Sequence, residues 1–167
     1  VHTERCKPYY SVSNDVLEKM VLNEAPYNNI DIILFTHHHP DHFNAEMTVE
    51  ILKRNKHTQL IGPKLVMDKI RGTNIYNSIL DSQLRSVELP RYSNIELRIK
   101  DIPFQIINLA HDGEIYSGVD NYAYMFEMKN KVVLHLGDAQ PSLFNFESAE
   151  LILENDVDYL FIPFPFI

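Results

Sequence analysis

The chain carries a single cysteine, Cys6, so it can build neither an internal disulfide nor a thiolate metal site that needs a second cysteine. A reducing compartment suits that scarcity, and a cytoplasmic location is the expectation. Basic residues are also few: 15 Lys and Arg stand against 23 Asp and Glu, for a formal net charge of -8, and they are scattered along the chain. Such a balance offers no general attraction to phosphate backbones, so no nucleic-acid partner is expected. No apolar run is long enough to cross a bilayer, which leaves no reason to expect a membrane partner. Repeats, low-complexity tracts and linkers are missing too, and hydrophobic residues make up 45% of the 167. One mixed α/β domain over residues 1–167, with a real core, is what these figures allow. The chain opens at Val1 and stops on the apolar "DYLFIPFPFI", which reads as a strand and its exit, so further chain is expected at both ends.

The pattern of apolar residues alternates between two periods. Ile30 to Phe35 suits a buried strand, and Asn44 is placed to cap a helix in which Met47, Ile51 and Leu52 recur at helical spacing. "TQLIG" reads as the next strand, and "PKLVMDKIRG" as a helix with Pro63 at its start and Gly72 after its end. "SILDSQLRSVEL" has no clear period. From Ile95 the alternation becomes strand-like through Leu97 and Ile99, "FQIINLA" follows Pro103, and "NYAYMFEM" and "KVVLHLG" flank a Lys-Asn-Lys turn like a hairpin. Phe146, Ala149 and Ile152 return to helical spacing, and Tyr159 to Ile162 closes with a strand.

Against this background "FTHHHPDHF", residues 35–43, is the outstanding feature: four histidines and one aspartate occupy positions 37–42. Pro40 and Asp41 interrupt the run and an apolar stretch leads into it, so it is no engineered tag. Residues two apart on an extended segment point the same way, so His37 and His39 can present imidazoles to one point as the strand ends, while His38 points elsewhere. Pro40 discourages a helical conformation at His39 and turns the chain, which lets Asp41 and His42 face a second point nearby. Neutral imidazole and carboxylate suit zinc, manganese or iron. Two other strand ends carry similar chemistry: His111 follows "INLA", and Asp138 follows Gly137, a residue that lets the backbone bend sharply. Asp138 has two oxygens and is able to bridge two metals.

Plainer readings compete. Taken alone, His111 reads as a surface loop histidine and Asp138 as a turn former after glycine. Polar groups at the density of His37, His39, Asp41 and His42 need strong partners where they are even half-buried, which favours metal binding for that set. Alternation puts His135 on the face opposite Asp138 unless Gly137 breaks the register, so a supporting role and a catalytic one both fit it. His2 and His57 read as surface residues, Tyr116, Tyr122 and Tyr124 as core or pocket lining, and Glu114 and Asp120 as solvated loop charges.

The string His37-x-His39-x-Asp41-His42 after a hydrophobic strand, followed by His111 and by Gly137-Asp138, resembles the signature of the metallo-β-lactamase superfamily. The spelling of "LFTHHHPDHF" and "HLGDA" is most similar to its metal-dependent hydrolases of the ascorbate-phosphate lactonase-like branch. The resemblance implies an αββα sandwich with a dinuclear site at one edge of the two sheets. It also implies two divalent metal ions, zinc first among them: His37, His39 and His111 would hold one, Asp41 and His42 the second, and Asp138 would bridge them. Two features of the family are missing from these residues: the opening strands, and a last metal-binding histidine after the strand at "DYLFIPFPFI". The second metal would then lack one ligand.

By this resemblance the expected activity is hydrolysis of an ester, lactone or phosphoester small molecule by a metal-bound hydroxide. Asp41 would orient that hydroxide as well as bind metal, and His135 or a metal-bound water would protonate the leaving group. Three alternatives stand beside it. A nuclease of the superfamily would want a basic groove, which the acidic composition does not advertise. A di-iron redox member typically carries glutamate where this chain has His39. A non-catalytic or regulatory module would keep the fold and the metal but lack an open coordination position.

Overall fold

Ile32–Leu34 forms the first strand (β1), which pairs in parallel with Gln59–Pro63 (β2), and β2 pairs in parallel with Leu84–Val87 (β3). The register sets Ile33 beside Leu60 and Leu34 beside Ile61. These strands belong to a computed structural model that describes residues 12–147 and 149–163 and divides into two compact units after Val87. Cys6 and His2 lie outside the described residues.

In the first unit each parallel connection carries a helix, as parallel pairing requires. Ala45–Arg54 (α2 in chain order) joins β1 to β2, and Lys64–Arg71 (α3) follows β2 directly. Asn44 caps α2 as its position suggests: its Oδ1 accepts from the Met47 amide at 2.9 Å. Pro63 and Gly72 bound α3. Val49 and Leu52 of α2, Leu60 of β2, and Val66, Met67 and Ile70 of α3 are fully buried and share one core. Burying a side chain of this kind contributes about 1.5–3 kcal/mol, so the strand and both helices are held mainly by this cluster. The stretch without a clear period resolves into a 3-10 helix at Ser78–Gln83, started by the Asn77 side chain accepting from the Ile79 amide, and then β3. A further helix that the periodicity did not suggest, Asn14–Leu22 (α1), packs beside α2; Ser13 caps its start and Asn23 closes it at φ 60°.

The second unit is a five-stranded sheet in the order β4-β5-β6-β7-β8: Asn94–Ile99, Ile102–Ala110, Asp120–Met128, Lys131–His135 and Tyr159–Phe161. Its first four strands form an antiparallel meander, and β8 joins β7 in parallel. Both hairpin turns place two consecutive residues at positive φ, Lys100 and Asp101 in one, Lys129 and Asn130 in the other. That geometry matches the right-handed twist of the flanking strands, and it confirms the hairpin expected around Lys129 to Lys131. The stretch from Phe144 forms two short helices, Leu143–Glu147 (α4) and Glu150–Leu153 (α5), in place of a continuous one. Ala149 breaks the run at φ -110°, ψ 57°, yet Phe146, Ala149 and Ile152 still share one face and cover Ile107, Leu109, Ala123 and Leu134. Among the described residues no helix is long and apolar enough to cross a membrane.

Candidate metal centre

The histidine-rich segment is the loop at the C-terminal end of β1, the end of a parallel sheet where ligand sites form. Pairing to β2 runs one residue past the strand, through the Phe35 amide to the Ile61 carbonyl at 3.0 Å, and the chain then leaves the sheet. Gly62 lets this happen: a Cβ there would lie 3.1 Å from the Phe35 carbonyl oxygen. The Phe35 and Phe43 rings meet edge to face with centroids 4.9 Å apart and clasp the two ends of the loop. Inside it the His39 carbonyl accepts from the amides of His42 at 3.0 Å and Phe43 at 2.9 Å, the turn that Pro40 initiates. Side chains are thereby gathered. His37 is fully buried, and one of its ring nitrogens lies within 4.8 Å of a nitrogen of His39, as one also does of His42. The ring centroids are 4.7 Å and 4.3 Å from that of His37. Asp41 and His42 are half-buried, with Oδ2 and Nε2 3.5 Å apart. His38 instead lines a cleft of about 590 Å³ with Asn44, Glu46 and Lys69.

A metal ligand needs a free lone pair, and the partner of the other ring nitrogen decides which atom has it. Thr36, itself buried, sets its hydroxyl 2.9 Å from His37 Nδ1. A hydroxyl both donates and accepts, so it can take the Nδ1 hydrogen and leave Nε2 as the ligating atom.

In the second unit His111 is buried at 6% exposure, not the surface residue that it suggests in isolation. Its Nδ1 lies 2.6 Å from the Asp112 carbonyl, which only accepts. Nδ1 therefore carries a hydrogen, which in the neutral ring makes Nε2 the nitrogen able to ligate, and Nε2 stands 3.8 Å from Asp138 Oδ2. The two residues meet because the chain beyond β5 pairs with the chain beyond β7. Asp112 donates to the Asp138 carbonyl at 2.8 Å, Gln140 donates to the Ala110 carbonyl at 2.8 Å, and His111 and Ala139 form an antiparallel bridge. Gly137 makes the bend between His135 and Asp138 at φ 61°. His135 is exposed, its Nδ1 accepts from the Gly137 amide at 3.0 Å, and its ring stacks on Phe161.

Several supporting residues escape a sequence reading: Thr36, Asp112, Asn121 and Asn145. Asn121 and Asn145 are both fully buried. Asn145 accepts from the Ala110 amide at 2.8 Å and donates to the Ala110 and Gln140 carbonyls at 3.1 and 3.0 Å, which fixes the backbone on either side of the His111 bridge. The available signal was a polar residue set among apolar ones, Asn121 before "YAYMF" and Asn145 between two phenylalanines. Tyr122 and Tyr124 are core residues, and Tyr122 takes the Leu89 amide on its hydroxyl at 3.2 Å. Burial, with the nearby Asp120 carboxylate, pushes the Tyr122 hydroxyl up to about 12. Tyr116 is exposed, with its ring 5.1 Å from that of His111. Beside His111 a cleft of about 450 Å³ is lined by Arg91, Tyr92, Glu114, Ser117 and Gln140.

Comparison with known proteins agrees with the fold. The metallo-β-lactamase fold protein YhfI from Bacillus subtilis has 12% identity and a TM-score of 0.51, with 78% of this chain and 47% of that one covered. A point mutant of CmlA β-hydroxylase has 19% identity and a TM-score of 0.50, with 79% of this chain and 25% of that one covered. The chain thus spans less than half the length of either. No curated protein matches it. The family model described as "Beta-lactamase superfamily domain" matches residues 13–165. With an α/β metallo-β-lactamase fold and clusters of histidine and aspartate suited to metal, the chain belongs to the β-lactamase superfamily.

Proposed function

We propose that this chain is part of a metal-dependent hydrolase whose substrate is a small ester, lactone or phosphoester, with His37, His39, Asp41, His42, His111 and Asp138 as the metal ligands. The observation that carries the reading is the donor chemistry: imidazoles and carboxylates gathered in each unit, with the Asp112 carbonyl holding His111 Nδ1. Nitrogen and oxygen donors of this kind fit zinc, and manganese or iron less closely, and without a thiolate they give no preference for copper(I). By the family resemblance His37, His39 and His111 would hold one ion, Asp41 and His42 a second, and Asp138 would contribute to both. When bound, such ions lower the pKa of water toward neutrality and polarise a carbonyl or phosphoryl oxygen.

The protein's own part is to present these donors already oriented. The His39 carbonyl, with its two amide donors, holds His42 close to His37, the Thr36 hydroxyl stands against His37 Nδ1, and the Asp112 carbonyl takes the Nδ1 hydrogen of His111. Proton donation by His135 would use Nε2, the nitrogen that carries hydrogen while the Gly137 amide occupies Nδ1. The cleft beside His111 is the natural place for the substrate. Assignment to the ascorbate-phosphate lactonase-like branch rests on the spelling of the two motifs alone. The hydroxylase among the fold neighbours is no argument for oxidative chemistry here, because folds host many reactions. Elemental analysis of the purified chain, followed by a screen of lactones, phosphodiesters and thioesters, is the test. Bound zinc and turnover that both fall when His39→Ala or Asp138→Asn is introduced are expected; turnover that persists in a metal-free preparation overturns the reading.

A further inference from the structure

Asn121 has no role in the reading above, yet it sits where β7 leaves the sheet. The last register pair between β6 and β7 at this end is Tyr124 with His135. Beyond it Gly137 turns the chain at φ 61°, and the backbone of Leu136 and Asp138 loses its strand partner on β6. The Asn121 carboxamide takes that partner's place. Its Nδ2 donates to the Leu136 carbonyl at 3.0 Å and its Oδ1 accepts from the Asp138 amide at 2.9 Å, one bond on each side of the bend. A carboxamide offers the same donor and acceptor as a peptide unit, which is why asparagine fits there and an apolar residue does not. From Asp138 the bonds run on: its carbonyl accepts from Asp112 at 2.8 Å, and the Asp112 carbonyl holds His111 Nδ1 at 2.6 Å. Asn121, the Asp138 backbone, the Asp112 backbone and the His111 ring therefore form one series.

We propose that Asn121 is a positioning residue for the metal ligands His111 and Asp138, fixing the Gly137 bend so that Nε2 of one and the carboxylate of the other stay together before a cation binds. The proposal rests on the metal-binding reading and adds to it a residue that would touch no metal. Asn108 provides a matched comparison. It is equally buried and donates to the Leu89 carbonyl at 2.8 Å and to Asp120 Oδ1 at 3.1 Å, outside this series.

The test compares Asn121→Ala and Asn108→Ala in the full 167-residue chain by urea denaturation, zinc affinity against a chromophoric chelator, and the absorption spectrum of bound cobalt(II). Both variants are expected to lose stability, but only Asn121→Ala should weaken zinc binding, by about 10–100-fold, and alter the cobalt spectrum. Zinc affinity in Asn121→Ala within about twofold of the parent overturns the proposal, as does an equal loss in Asn108→Ala. Should Asn121→Ala fail to fold, zinc titration of the parent followed by NMR decides. The Asn121 side-chain amide and the Asp138 amide must then shift together with His111, and their failure to move overturns the proposal. A parent that takes up no metal overturns this inference and the hydrolase reading together, whereas tight binding by the parent with an unaltered Asn121→Ala overturns the inference alone.

Discussion

Replacing Asn145 by alanine removes three hydrogen bonds from a fully buried position, and the structure shows what each is worth. The Ala110 carbonyl keeps the Gln140 amide at 2.8 Å, so it loses one of two donors. The Gln140 carbonyl keeps the Ser142 amide at 2.8 Å, so it too loses one of two donors. The Ala110 amide is different: it is buried and gives its hydrogen to Asn145, and an orphaned donor of that kind costs about 1–3 kcal/mol. With the small void left by the carboxamide the total is about 2–3 kcal/mol. For an m-value of about 2 kcal/mol per molar, the urea midpoint should fall by about 1–1.5 M. Asn145→Asp sharpens the argument, since it retains an acceptor for the Ala110 amide but turns a carboxylate toward two carbonyls. Its folded-state pKa would then lie above the unfolded value of about 3.9. The folded state binds more protons than the unfolded one over that window, so the stability of this variant relative to the parent should fall as pH rises from about 4 to 7. A midpoint shift for Asn145→Ala below about 0.25 M, or an Asn145→Asp penalty that does not change with pH, would refute the reasoning.

Gly62→Ala should cost about 1–3 kcal/mol in urea denaturation because its Cβ meets the Phe35 carbonyl at 3.1 Å, while Gly118→Ala, with nothing within 4 Å, should be close to neutral. Equal effects would contradict the close approach of β1 and β2. Tyr122, held near 12 against an unfolded value of about 10, contributes stability that is complete below pH 10 and is lost as pH rises through 12. Tyr122→Phe should therefore lose less stability than the parent over that alkaline range, and should leave the phenolate absorbance of the folded protein unchanged up to about pH 11.

The loop from Phe35 to Phe43 was legible because each of its signals is local. An apolar run that ends in alternating histidines, a proline that turns the chain and an asparagine that caps the next helix are all written within ten or so residues, and the structure uses each in place. The segment from Phe144 was half legible. Contacts three residues apart through Phe146, Ala149 and Ile152 fix which face is buried, and two short helices broken at Ala149 serve that face as well as one continuous helix does. His111 misled when taken alone, since what buries it is the pairing of residues 110–112 with 138–140, a contact between distant parts of the chain.

Asn121 and Asn145 show why candidate metal ligands are easier to read than the residues that hold them. The proposed ligand atoms belong to side chains of recognisable chemistry, so His37 and Asp138 stand out as candidates by residue type. The partners of Asn121 and Asn145 are backbone groups of Leu136, Asp138, Ala110 and Gln140, and every residue carries such groups whatever its type. No spacing rule can therefore point from the anchor to what it anchors. What the sequence does show is the cost: a polar side chain placed among apolar neighbours, which folding tolerates only where donors and acceptors are waiting. In a chain whose candidate ligands sit on bends and strand ends, that cost is a positive signal, and buried asparagines near a candidate site are the first place to look for what orients it.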